Sequence, residues 1–151
     1  MAEPQGHSPL ILVVDDEVMI AMLLEDIIVA CGCEVLGPAG NVATAMSLIE
    51  GHGQGGIDGA FLDVNLRGEL IYPVVDALAA RNVPIVFVSG YAGDGIDPRY
   101  AAIPALAKPV PIAEIEHYVK EFTNSASRAI RLEVCADGPA PGIVSQRSSP
   151  P

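Results

Sequence analysis

Residues 10–20 read LILVVDDEVMI: five apolar residues, three carboxylates, then apolar residues again. Five apolar positions without polar alternation are the pattern of a parallel strand buried on both faces. From Val18 the apolar residues continue over helical length to about Cys31, and Gly32 stands where a helix commonly ends. Strand, acidic turn and helix form the opening unit of an α/β sheet. Asp15, Asp16 and Glu17 repel one another at that turn, so something must compensate them.

The same alternation repeats toward the C-terminus. EVLGPA (34–39) predicts a second strand, Val42 to Ile49 a helix, and GHGQGG (51–56) a break. IDGAFLDV (57–64) predicts a third strand ending at Asp63, followed by a helix from about Glu69 to Ala80 with Pro73 tolerated in its first turn. NVPIVFVSG (82–90) predicts the fourth strand and PALA (104–107) a short fifth. The last helix, PIAEIEHYVKEF (111–122), carries an apolar stripe at Ile112, Ile115, Val119 and Phe122. The expected fold is α/β: a doubly wound, five-stranded parallel sheet with right-handed crossovers and helices on both faces. Gly93, Gly95 and Pro98 oppose a regular helix between the last two strands, so the fourth helix is expected to be short or irregular.

Residues 1–8 are expected to form a flexible N-terminal arm and residues 9–123 one domain. Residues 124–151, rich in Ser, Arg, Pro and Gly, are expected to form a tail, mostly disordered or a docking segment. Within that tail AIRLEV (129–134) alternates as an edge strand would. Half of the 151 residues are apolar, enough for a real core. The net charge of −11 disfavours nucleic acid and anionic membrane as partners. Cys31, Cys33 and Cys135 are odd in number and lack metal-ligand spacing, so they read as reduced thiols in a cytoplasmic protein. MAEPQGHSP has no cationic region, and the apolar run after it is short for a signal peptide.

Ligands of open parallel sheets sit at the carboxyl ends of the strands. Asp15 and Asp16 end the first strand, Asp63 the third, Ser89 the fourth, and Lys108 the fifth. Crowded carboxylates there suit Mg²⁺, which takes hard oxygen ligands and keeps positions open for phosphate. Glu17 is a lesser candidate, because an acidic residue in a first helical turn is already explained by the helix dipole. Metal, carboxylate, hydroxyl and lysine together make a phosphoryl-transfer site. In it Asp63 attacks phosphorus to give an acyl phosphate, while Lys108 and Ser89 engage the phosphoryl oxygens.

VVDDE, FLDVNL, VFVSGY and ALAKPV, in this order over Leu10 to Phe122, resemble the receiver domains of bacterial response regulators, with their flavodoxin-like fold. The resemblance implies that Asp63 is the phosphoacceptor, that Asp15, Asp16 and Asp63 bind Mg²⁺ with the backbone carbonyl of Asn65, and that Ser89 and Lys108 respond to the phosphoryl group. It implies a cis Lys108-Pro109 bond, a histidine kinase or histidine phosphotransfer protein as donor, and a downstream partner on the fourth and fifth strands and last helix. FVSGY is similar to the Phe-Ala-Thr-Gly-aromatic signature of a subgroup of single-domain receivers. In one departure, Ala105 stands where the family's switch aromatic usually sits, which leaves Tyr91 as the candidate for that part.

Two other readings use the same residues. A haloacid-dehalogenase-like phosphohydrolase also combines a strand-end Asp, a hydroxyl and a Lys, but it needs an acid two residues after the nucleophile, where this chain has Asn65. A pseudo-receiver that binds a partner without phosphorylation is favoured only by Ala105. The expectation is therefore a signalling phosphoacceptor with slow autodephosphorylation, not a turnover enzyme.

Overall fold

The computed structural model describes residues 8–52, 56–90 and 96–136, the last twelve as backbone only. Its elements are β1 (Leu10–Val14), α1 (Val18–Ala30), β2 (Glu34–Ala39), α2 (Val42–Glu50) and β3 (Gly59–Asp63), then the short strands β4 (Asn65–Leu66) and β5 (Glu69–Leu70). They continue with α3 (Tyr72–Ala79), β6 (Ile85–Ser89), a 3₁₀ turn (Pro98–Tyr100), β7 (Ala105–Ala107) and α4 (Ile112–Ala136). The main sheet has the order β2-β1-β3-β6-β7, and every neighbouring pair in it is parallel. This is the doubly wound sheet that the sequence predicts.

The central strands read as unbroken apolar runs because their side chains alternate between two cores. Leu12, Val14, Ala60, Leu62, Ile85 and Phe87 face α2 and α3. Ile11, Val13, Phe61, Val86 and Val88 face α1 and α4. Neither face of these central strands meets water, so no polar residue interrupts their pattern before the carboxyl end. Cys33 lies in the second core, where burial foremost pushes its thiol pKa up, so it fills space and offers little thiolate.

Three expectations are corrected. α3 begins at Tyr72 rather than near Glu69, because Arg67 and Gly68 both adopt positive φ, 55° and 92°, and turn the chain into an antiparallel β4–β5 hairpin. In α4, Ile115, Val119 and Phe122 are buried as the stripe requires, but Ile112 is 54% exposed at the helix start. α4 also continues through the segment read as a tail, so AIRLEV is helical rather than an edge strand. No Gly or Pro lies between 112 and 136 to stop it. α1 buries Ala21, Leu24, Ile27 and Ile28 and leaves Val18, Met19, Met22 and Val29 exposed on its outer side.

The fourth helix is reduced, among the described residues, to the turn Pro98–Tyr100. An aromatic clamp fastens this turn to α3. The rings of Tyr72 and Tyr100 stack with centroids 4.6 Å apart, the Tyr100 hydroxyl donates to Asp76 Oδ1 at 2.8 Å, and Asp97 N donates to the Tyr72 hydroxyl oxygen at 2.7 Å. Tyr91 and the rest of residues 91–95 lie outside the described residues.

Candidate functional site

The carboxyl ends of β1, β3, β6 and β7 meet at one edge of the sheet. Asp15 follows β1 and is fixed by donation from its N–H to Ala39 O at 2.9 Å. Asp63 is the last residue of β3 and is buried. Ser89, also buried, closes β6, and its carbonyl accepts from Lys108 N at 2.8 Å, which holds the lysine beside it. The Lys108-Pro109 bond is cis, as is Gly37-Pro38.

Four carboxylates and two cations share this edge. The Lys108 ammonium lies 3.0 Å from Asp63 Oδ2 and 3.1 Å from Asp15 Oδ2, and it also contacts Glu17 Oε1. Asp16 is paired instead with Arg67, Nε to Oδ2 at 3.1 Å. Glu17, which helix-dipole reasoning left as a lesser candidate, is thus drawn in through Lys108. Arg67 was not singled out in the sequence at all. The one partial signal was Gly68, five residues after Asp63, because arginine before it is not a residue that two-residue turns ordinarily favour.

Loop hydrogen bonds preset the two central aspartates. Asp15 Oδ1 accepts from Glu17 N at 2.8 Å, and Asp63 Oδ1 accepts from Asn65 N at 3.2 Å. The Asn65 side chain is turned away to its own hairpin, where its Oδ1 accepts from Gly68 N at 2.6 Å. It therefore supplies no acid or base to Asp63.

Burial raises the Asp63 carboxyl to about 6, the negative charge of Asp15 adds to that rise, and Lys108 only partly offsets both. Asp15 is likewise raised by burial. Burial disfavours the Lys108 ammonium, but its hydrogen bonds to Glu17, Asp63 and Asp15 outweigh that and push its pKa up.

One oxygen from each of Asp15, Asp16 and Asp63 can be chosen so that all lie within 4.8 Å of one another. Asp15 Oδ2 is buried and accepts no hydrogen bond among the described residues, although the ammonium nitrogen is close. Hard oxygen donors, excess negative charge and an unsatisfied buried oxygen fit a small divalent cation. Beside these carboxylates opens a cleft of about 530 Å³, walled by Val18 and Met22 of α1, Pro38 and Asn41 before α2, and Arg67.

The raised carboxyl has a consequence for metal binding. A folded-state pKa of about 6 against an ordinary 3.8 means that Asp63 favours the folded state below pH 3.8, and that this contribution is lost as pH rises through 6. A cation that replaces the proton should therefore raise the melting temperature more at pH 7.5 than at pH 5. Its binding at pH 6 should release protons, seen as a calorimetric heat that changes with the buffer's ionisation enthalpy. Equal stabilisation at both pH values would contradict a cation at Asp63.

No family model and no curated protein sequence matches the chain. Solved structures do. The solution structure of SdrG from Sphingomonas melonis Fr1 is 39% identical, with a TM-score of 0.67, over 79% of this chain and 99% of that one. The BeF3-activated conformation of SdrG from Pseudomonas melonis Fr1 is 41% identical, with a TM-score of 0.61, over 74% of this chain and 92% of that one. The receiver domain of the hybrid histidine kinase CckA is 27% identical, with a TM-score of 0.61, over 75% of this chain and 97% of that one.

Proposed function

Because this chain belongs to the receiver domains of response regulators, we propose that it accepts a phosphoryl group on Asp63 and uses the modified edge to change what it binds. The observation that carries the proposal is the Lys108 ammonium held between Asp63 and Asp15, with Asp16 completing a trio of carboxylate oxygens.

In the proposed reaction Asp63 Oδ attacks phosphorus in line with a phosphorylated histidine of a kinase or phosphotransfer protein. A P–O bond forms, the P–N bond breaks, and the imidazole leaves. Mg²⁺ held by Asp15, Asp16, Asp63 and the Asn65 carbonyl would offset charge on the transferred oxygens. Lys108 then stabilises one of those oxygens in place of the Asp63 carboxylate that it now faces, and the Ser89 hydroxyl donates to another. Two residues after Asp63 stands Asn65, an amide engaged in its own hairpin rather than a carboxylic acid, so the acyl phosphate is expected to be lost slowly.

Exposed Val18, Met19 and Met22 adjoin the acidic edge and offer the donor an apolar landing on α1. The altered edge is expected to be read on β6, β7 and α4, the elements that follow Ser89 and Lys108. Cys31 and Cys33 are free thiols, in keeping with a cytoplasmic location. No helix among the described residues is long and apolar enough to cross a membrane.

The test is intact-mass spectrometry after incubation with Mg²⁺ and acetyl phosphate. One phosphoryl adduct is expected on the wild type, and none on Asp63→Asn or in EDTA. An adduct that survives in folded Asp63→Asn, or no adduct on folded wild type, overturns the proposal.

A further inference from the structure

The two-residue turn of the β4–β5 hairpin has positive φ at both Arg67 and Gly68, the backbone for which Asn-Gly or Gly-Gly is the ordinary choice. An arginine in left-handed backbone carries a steric cost, and an observed cost of this kind is a reason to ask what the side chain does. Here it reaches across 51 positions of sequence to donate from Nε to Asp16 Oδ2 at 3.1 Å. The hairpin that aims it is well anchored. Leu66 is buried, Ile71 N donates to Val64 O at 3.1 Å, and Glu69 Oε1 accepts from Val42 N at 3.2 Å, tying the far side of the hairpin to the start of α2.

The two cations at the edge divide the carboxylates between them. Lys108 contacts Asp15, Glu17 and Asp63, and Arg67 contacts Asp16. Lys108 is mostly buried, a fixed part of the site. The Arg67 side chain is 83% exposed and the Asp16 side chain 15%, so this pair is screened by water and readily opened. Asp16 lines the cleft together with Asp15 and with Arg67 itself, so the pair lies at the open side of the site.

We propose that Arg67 is an internal competitor for Asp16: its guanidinium neutralises the carboxylate when no metal is bound and must be displaced for a divalent cation to take it, so that this one residue sets the metal affinity downward. The proposal rests on the reading of Asp15, Asp16 and Asp63 as metal ligands. It assigns Arg67 a positioning role, acting through Asp16 and not on the reacting atoms.

Titration calorimetry with magnesium chloride tests it without any phosphoryl donor. Removing an exposed, screened ion pair should matter modestly, so Arg67→Ala is expected to bind Mg²⁺ about two- to fivefold more tightly than wild type. Arg67→Lys, which keeps the charge, should stay near wild type. In an Asp16→Asn background, Arg67→Ala should give no gain, because the competition runs through that carboxylate. Alanine replaces a residue already in left-handed backbone and adds no new strain, and Arg67→Gly, which relieves that strain, should match it. Equal or weaker binding by both Arg67→Ala and Arg67→Gly, or a gain that persists in the Asp16→Asn background, overturns the inference while the metal site stands. Absence of Mg²⁺ binding by wild type and variants alike overturns both together, whereas an acetyl phosphate adduct that needs Asp63 would still uphold the phosphoacceptor.

Discussion

Replacing Lys108 by methionine should destabilise the metal-free protein by about 3–5 kcal/mol at pH 7.5, the usual cost of removing one partner from a buried ion pair. The lysine side chain is only 12% exposed and contacts Asp15 and Asp63, both buried, as well as Glu17, offsetting part of their charge. Methionine fills a similar volume, so the loss reports on charge more than on packing. Asp63 already titrates near 6 with the ammonium present, and without it the carboxyl must move higher still. A carboxyl whose folded pKa is raised stabilises the fold below its unfolded pKa and loses that effect as pH rises through the folded one. The deficit of the variant should therefore be largest above pH 7 and should shrink at pH 5, where the carboxylates can protonate. Urea unfolding in EDTA at the two pH values measures it, and a deficit independent of pH would show that Lys108 acts only by packing.

Phe122→Ala should cost a similar 3–5 kcal/mol, for a reason that has nothing to do with charge. Phe122 is 2% exposed, meets Phe61 edge to face with centroids 5.3 Å apart, and lies over Gly59. A methyl group added at Gly59 would lie 2.3 Å from two ring carbons of Phe122, so the ring occupies the space that the missing side chain leaves. Gly59→Ala should accordingly cost about 1–3 kcal/mol through overpacking. The double variant should be less unstable than the sum of the two, since the alanine methyl enters the cavity left by the ring. Additive losses in denaturant unfolding would mean that α4 docks on β3 by some other contact.

The five strands were legible because each central one is buried on both faces, which forces continuous apolar runs, and their ends were marked by Asp15, Asp63, Ser89 and Lys108. The gathering of Asp15, Asp63 and Lys108 followed from parallel topology alone, since parallel strands end on one edge. Short-range and long-range features were harder. The β4–β5 hairpin has two residues per strand, too few for any period to show, so its Glu69 and Leu70 were absorbed into the next helix. Its turn was hidden because arginine is not a residue that turn chemistry suggests. The continuation of α4 past Phe122 was missed because its composition is polar, and polarity argues against burial without arguing against a helix. Ala105 in β7 is small, and among the described residues the stack of Tyr72 on Tyr100 joins residues that no spacing rule connects.

The alternation of β3 between two cores binds evolution as well as folding. Deleting one residue between Gly59 and Leu62 would send side chains that belong under α1 and α4 to the face of α2 and α3, and would draw Asp63 back from the edge in the same stroke. Chemistry and core are written in one reading frame. Point substitutions can tune either of them separately, but changes of length are confined to the loops between strands and helices, where the chain can differ in size without moving a carboxylate.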